Sequence, residues 1–186
     1  HVIDVADALA YAHGERVIHR DLKPANVLVG SYGETVVIDW GLARNLATGE
    51  EAASLPSAPR FDGDGGETVA GTVMGTPSYM PPEQARGEAV DERADVYAIG
   101  AMLYHVLAGL RPYAEASGAA EVLGRVIEGP PKALSELAPE IPAELVAIVD
   151  RAMAPLPSDR YPTAQGLAED LRRFQLHLVD AGTGPV

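Results

Sequence analysis

The chain has 186 residues, enough for one domain with a substantial apolar core and too few for two ordinary ones. Hydrophobic residues make up 47% of it and its formal charge is -13, which excludes an intrinsically disordered chain; with only two lysines, Lys23 and Lys132, and no basic face, nucleic acid and anionic membrane are not expected partners. There is no cysteine, which excludes disulfides and thiolate metal sites and accords with a cytoplasmic location.

Val2, Val5, Ala6, Leu9 and Ala12 recur at helical spacing, and Gly14 stands where a left-handed cap would stop the helix. The chain opens inside this amphipathic pattern, which reads as a cut rather than a natural start. Arg16 to Ile18 reads as a short strand, and the polar stretch His19 to Asn26 follows. Val27 to Val29 and Thr35 to Ile38 are β-branched runs flanking Gly30-Ser31-Tyr32-Gly33, a hairpin signal.

From Trp40 to about Pro82 apolar periodicity is absent, and residues 45–67, rich in Gly, Ala, Ser and Glu, read as a disordered insert. Helices are expected near 95–110, 119–128, 143–154 and 163–179, with 180–186 as the start of a linker. The apolar run Val96 to Leu110 is shorter than the roughly 20 residues of a bilayer span and predicts a buried central helix.

Chemistry concentrates in His19-Arg20-Asp21-Leu22-Lys23-Pro24-Ala25-Asn26 and in Asp39-Trp40-Gly41, two polar loops flanking one hairpin. Two carboxylates, an amide and an ammonium at one end of a hairpin suit phosphoryl transfer, in which metal ions bridge phosphates and an oriented base holds the acceptor hydroxyl. Taken singly, Asp21 and Asn26 read equally well as turn residues that satisfy backbone donors.

Together these residues resemble the protein-kinase catalytic loop H-R-D-L-K-P-x-N and metal loop D-F-G, with Trp40 in place of the usual Phe. The sequence is similar to bacterial-type serine/threonine kinases. The resemblance implies a mainly α carboxy-terminal lobe over residues 1–179, with a short β-hairpin carrying the catalytic and metal loops, cut from a two-lobed α+β parent. It implies that Asp21 takes the acceptor proton, Lys23 neutralises phosphate charge, Asn26 and Asp39 hold Mg²⁺ or Mn²⁺, and Leu28 joins Lys23, Asn26 and Asp39 in the ATP site.

Gly75-Thr76-Pro77-Ser78-Tyr79-Met80-Pro81-Pro82-Glu83 resembles the segment that closes a kinase activation loop. By that likeness Thr76 bonds Asp21 and Lys23 in the substrate loop, Glu83 pairs with Arg160, and Asp95 reaches back to the catalytic-loop backbone. Solvated surface charges are the plainer alternative for Glu83 and Arg160, and an ordinary N-terminal helix carboxylate for Asp95. Arg20 marks kinases whose activation loop is phosphorylated, with Thr72 the first candidate and Thr68 the second. Ser54 and Ser57 read as solvated loop residues. His19 is expected to pack, and His1, His13, His105 and His177 to be structural or exposed. Ala25 and His105 stand where acids that select basic substrates would lie, so strong selection for arginine is not expected.

The expected partners are protein substrates and an amino-terminal lobe in cis; dimerisation of the parent and its anchoring to a membrane are compatible with the family. No Gly-rich loop or strand-borne ATP lysine precedes His1, so these 186 residues alone are expected to be inactive and to expose apolar surface where the other lobe docks. Two rivals stand beside this reading: a pseudokinase scaffold, against which the unbroken Asp21, Lys23, Asn26 and Asp39 set argues, and a small-molecule phosphotransferase, which would lack the Thr76 to Glu83 segment.

Overall fold

The computed structural model describes residues 1–47 and 77–182, with side chains to residue 177. Helix α1 (Val2–Gly14) buries Val5, Ala6 and Leu9, positions that a period of 3.6 residues brings to one face. Strand β1 (Val17–Ile18) leads into the polar loop, which ends in a 3-10 turn at Pro24–Asn26. The hairpin β2 (Val27–Val29) and β3 (Thr35–Val37) pairs antiparallel, with Val27 opposite Val37, Leu28 opposite Val36 and Val29 opposite Thr35. A second 3-10 turn, Trp40–Leu42, is followed by β4 (Arg44–Asn45), which returns to pair with β1.

After a 3-10 turn at Pro77–Tyr79 the chain is helical: α2 (Pro82–Ala85), α3 (Arg93–Ala108), α4 (Ala119–Glu128), α5 (Leu134–Leu137), α6 (Ala143–Ala152) and α7 (Ala164–Gly182). Every residue of α3 from Ala94 to Tyr104 is buried, as expected of a helix that is apolar all round, and α1, α5, α6 and α7 pack against it. Gly100 permits a close approach of α6 to α3, since a Cβ there would lie 2.7 Å from the Cβ of Ala152. Gly109, at φ 67, ends the helix in the left-handed conformation. A smaller cluster of Tyr113, Ala116, Val122 and Val126 packs beneath Ala85 and ties α4 to α2.

Three expectations from the sequence need correction. Val106 (71% exposed) and Leu110 emerge into solvent, because the end of α3 and the turn after it run beyond the packed layer. Asn45 pairs with Val17, so the insert begins later than composition indicates, and residues 48–67 lie outside the described residues. Helix α7 continues past Val179, where a linker was expected, since no helix breaker stands between Val179 and Gly182. Among the described residues no helix is long and apolar enough to cross a membrane.

Candidate active site

Asp95 organises the loop His19 to Asn26 from the first turn of α3. Its carboxylate is 1% exposed, so its charge has to be met inside the protein. It is met three times: Oδ2 accepts the backbone N–H of His19 at 2.8 Å, Oδ1 accepts that of Arg20 at 2.9 Å, and His13 Nε2 donates to Oδ2 at 2.8 Å. Arg20 takes a left-handed backbone, φ 70, which an L-residue with a long side chain rarely adopts. The hydrogen bonds that the backbone N–H groups of His19 and Arg20 donate to Asp95 hold it there, and Gln84 Nε2 donates to the carbonyl of Arg20 at 2.8 Å from the other side.

That bent loop presents Asp21 and Lys23 at a small cleft also lined by Tyr79, Met80, Gln84 and Ala98. The Asp21 side chain keeps 32% of its surface open, and Lys23 Nζ donates to its Oδ2 at 2.7 Å. Asn26 is buried, and its Nδ2 donates to the carbonyl of Asp21 at 2.8 Å and approaches Oδ2 at 3.4 Å. The amide nitrogen is therefore committed to the loop, which leaves the Asn26 side-chain oxygen as an acceptor for a cation.

The hairpin sets Asp39 beside it. The ladder that pairs Val27 with Val37 continues one step, the carbonyl of Asn26 accepting the N–H of Ile38 at 2.9 Å, so Asn26 and Asp39 share one end of the hairpin. His19 couples the two loops. The carbonyl of Ile38 can only accept, so His19 Nε2 carries the hydrogen at 3.0 Å, and Nδ1 is left to accept the N–H of Asp21 at 3.3 Å. His19 is fully buried and its ring meets Trp40. The donor set of carboxylate and amide oxygens fits a hard divalent cation. Among the described residues no cluster of three or more His, Asp or Glu side chains offers a competing metal site.

Glu83 and Arg160 meet behind the cleft in a two-pronged pair, at 2.7 and 2.8 Å, with the Arg160 side chain wholly buried. Leu28 lies on the open face of the hairpin, 53% exposed, with Val29 and Val36. An open apolar groove lined by Tyr11, Ala12, Val17, Val37 and Trp40 adjoins it. Thr68, Thr72 and Thr76 lie outside the described residues, so the structure places Arg20 without placing its expected phosphate donors or the substrate-loop threonine.

Sequence reasoning missed His13, which stands 82 residues from the carboxylate it serves; a histidine in the last turn of a helix carries no local signal of such a contact. It missed Gln84 for the same reason. Tyr79 also forms an unexpected pair, its hydroxyl 2.7 Å from His105 Nδ1, with its pKa raised by burial against the opposing pull of Arg111.

The body is mainly helical, and a short hairpin carries the bent loop with Asp21 and the loop with Asp39 at one end. The family model described as protein kinase domain matches residues 2–171, and the chain belongs to the protein kinase family. Members of this family generally use ATP and Mg²⁺. Tyrosine-protein kinase MasK of Myxococcus xanthus is 38% identical over 194 residues, which cover 100% of this chain and 27% of MasK. Serine/threonine-protein kinase PknB of Mycolicibacterium smegmatis is 38% identical over 174 residues, covering 92% of this chain and 25% of PknB. The probable serine/threonine-protein kinase PknB of Corynebacterium glutamicum is 35% identical over 181 residues, covering 96% and 26%. The chain thus spans about a quarter of the length of the curated relatives it matches.

Proposed function

We propose that these residues form the acceptor and metal side of a protein serine/threonine kinase, which transfers the terminal phosphoryl group of ATP to hydroxyls on proteins in signal transduction. The observation that carries the reading is the half-open Asp21 carboxylate bonded to Lys23 beside the buried Asn26. Asp21 accepts the hydrogen of the acceptor hydroxyl and aims its oxygen. Lys23 is a compact cation that leaves Asp21 as negative charge builds on the transferred group, so its pairing with Asp21 stores it within reach. Asn26 and Asp39 would hold a Mg²⁺ ion, which would supply positive charge against the phosphates. Leu28 offers an apolar shelf to the base of the nucleotide. Use of ATP supports a cytoplasmic site of action.

Lys23 two places after Asp21 supports serine and threonine as acceptors, as do the names of the PknB relatives; the name of MasK points to tyrosine. A scaffold without catalysis has no use for a half-open ion pair of Asp21 and Lys23 held this way, which favours the enzyme. The test is incubation of the full-length protein with Mg-ATP and a generic protein acceptor, followed by phosphoamino-acid analysis. Phosphoserine and phosphothreonine are expected, and Asp21→Asn should lower the rate about 100- to 10,000-fold with the fold intact. Phosphotyrosine alone would overturn the acceptor class, and an unchanged rate in Asp21→Asn would overturn the mechanism.

A further inference from the structure

Four side chains close on the backbone of Arg20 and Asp21. The N–H of Arg20 donates to Asp95 Oδ1 at 2.9 Å, and the N–H of Asp21 to His19 Nδ1 at 3.3 Å. The carbonyl of Asp21 accepts from Asn26 Nδ2 at 2.8 Å, and that of Arg20 from Gln84 Nε2 at 2.8 Å. Asp95 belongs to α3, and His19 and Asn26 to the loop itself. Gln84 alone comes from α2, next to Glu83, whose carboxylate Arg160 holds.

The Gln84 amide is itself unbalanced. Its Oε1 is buried with no hydrogen-bond partner among the described residues, an arrangement that costs free energy and needs a reason. Turning the amide over would not cure this, since Oε1 would then face the carbonyl oxygen of Arg20 at the 2.8 Å now bridged by a hydrogen. The side chain is therefore kept in place by the bond its nitrogen makes. Arg20 has φ 70, so the backbone at that point depends on such outside contacts to keep its course.

We infer that Gln84 is a positioning residue: its amide N–H fixes the Arg20–Asp21 peptide, and so the direction from which the Asp21 carboxylate meets the acceptor hydroxyl. The inference rests on the phosphotransfer reading, in which Asp21 holds that hydroxyl. The carbonyl of Arg20 and the N–H of Asp21 share one rigid plane, whose tilt sets where the Asp21 side chain points. Released from Gln84, that plane is held only through the N–H of Asp21, by the longest of the four bonds at 3.3 Å. A base that rocks by a fraction of an ångström leaves nucleotide binding alone and slows the transfer.

The experiment measures kcat and KM of the full-length protein with Mg-ATP and dephosphorylated casein for the wild type, Gln84→Met and Gln84→Glu. Methionine keeps the length of the side chain and removes both the donor and the unpartnered oxygen. These two changes offset in stability, so Tm should stay within about 3 °C. The kcat of Gln84→Met should fall about three- to tenfold, the effect of one lost hydrogen bond, with KM for ATP within about twofold. Glutamate can donate to the Arg20 carbonyl only when protonated, a form that burial favours. The kcat of Gln84→Glu relative to wild type should therefore rise about threefold from about pH 8 to about pH 6, while that of Gln84→Met stays level. An unchanged kcat in Gln84→Met overturns the inference, and so does a loss confined to KM or a flat ratio for Gln84→Glu across that range. If Gln84→Met fails to fold, the pH dependence of Gln84→Glu decides. A wild type that phosphorylates neither casein nor itself overturns the phosphotransfer reading, an outcome distinct from equal rates in all three proteins.

Discussion

Replacing Arg160 with alanine probes how the segment behind the cleft is held. All five N–H donors of this buried guanidinium have acceptors. Nε donates to the carbonyl of Ala154, Nη1 to Glu83 Oε1 and the carbonyl of Arg93, and Nη2 to Glu83 Oε2 and the carbonyl of Pro155. The group also lies 4.9 Å from the centre of the Tyr97 ring. Truncation strands the Glu83 carboxylate and three carbonyls in a region water reaches poorly. Breaking a buried pair from one side costs about 3–5 kcal/mol. The lost carbonyl bonds push toward the upper end, and water entering the space left behind pushes down, so about 4 kcal/mol is expected. For a domain of this size that lowers Tm by about 8–16 °C.

Arg160→Lys should recover less than half of the loss, because a lysine brings three donors on a tetrahedral head where five in a plane are used. The double variant Glu83→Gln with Arg160→Met should cost at least about 1 kcal/mol less than the sum of the two single changes, since no uncompensated charge remains. Urea and thermal denaturation followed by far-ultraviolet circular dichroism provide the measurement. A loss under about 1 kcal/mol in Arg160→Ala, or strict additivity in the double variant, would refute the account of a fully satisfied buried hub.

Asp95→Asn removes the charge that three donors share, and its amide N–H₂ turns a donor toward donors. A loss of about 2–3 kcal/mol is expected, and the rate of phosphoryl transfer should fall with it, because the left-handed Arg20 backbone is no longer held; a normal rate with lowered Tm would contradict this coupling. Alkaline pH tests the buried phenols. Burial, with the hydrogen bond to Asp170, pushes Tyr161 up to about 12, and burial pushes Tyr104 to about the same value. Both groups favour the neutral form when folded, so their stabilisation is complete below the ordinary tyrosine value near 10 and is lost as pH rises from about 10 toward 12. Tm should fall across that window, and Tyr161→Phe should flatten part of the fall; a constant Tm there would contradict the burial.

The loops His19 to Asn26 and Asp39 to Gly41 were legible as candidate site segments because each is a short contiguous run, and because the hairpin between them announces itself by β-branched runs around a glycine-bounded turn. The long helices were legible from apolar spacing, to within two residues at most ends. Strand β1 was legible within Arg16 to Ile18, but its partner β4 was not, since a two-residue strand of Arg44 and Asn45 has no apolar periodicity and the pairing joins Val17 to Asn45 across the whole site. The short helices α2 and α5 escaped for the same reason. His13, Gln84 and the Trp40 indole bond are contacts made by side chains whose partners are fixed only once the helices have packed. Trp40 shows the limit plainly: its size could be read from the sequence, but its donor had no visible purpose until the carbonyl of Val37 lay 3.1 Å away.

The hairpin also bears on how such a chain can change length during evolution. Its turn is tied by the N–H of Gly30 to the carbonyl of Glu34, and Tyr32 at the tip is 98% exposed. Residues added there lengthen the free end and leave the pairing of Val27 with Val37 alone. A single residue added between Asn26 and Val29, or between Thr35 and Asp39, would instead shift one strand against the other. It would turn every side chain on that strand to the opposite face and part Asn26 from Asp39. Insertions and deletions are therefore admissible at one end of this ribbon and forbidden at the other, a polarity imposed by three pairs of residues.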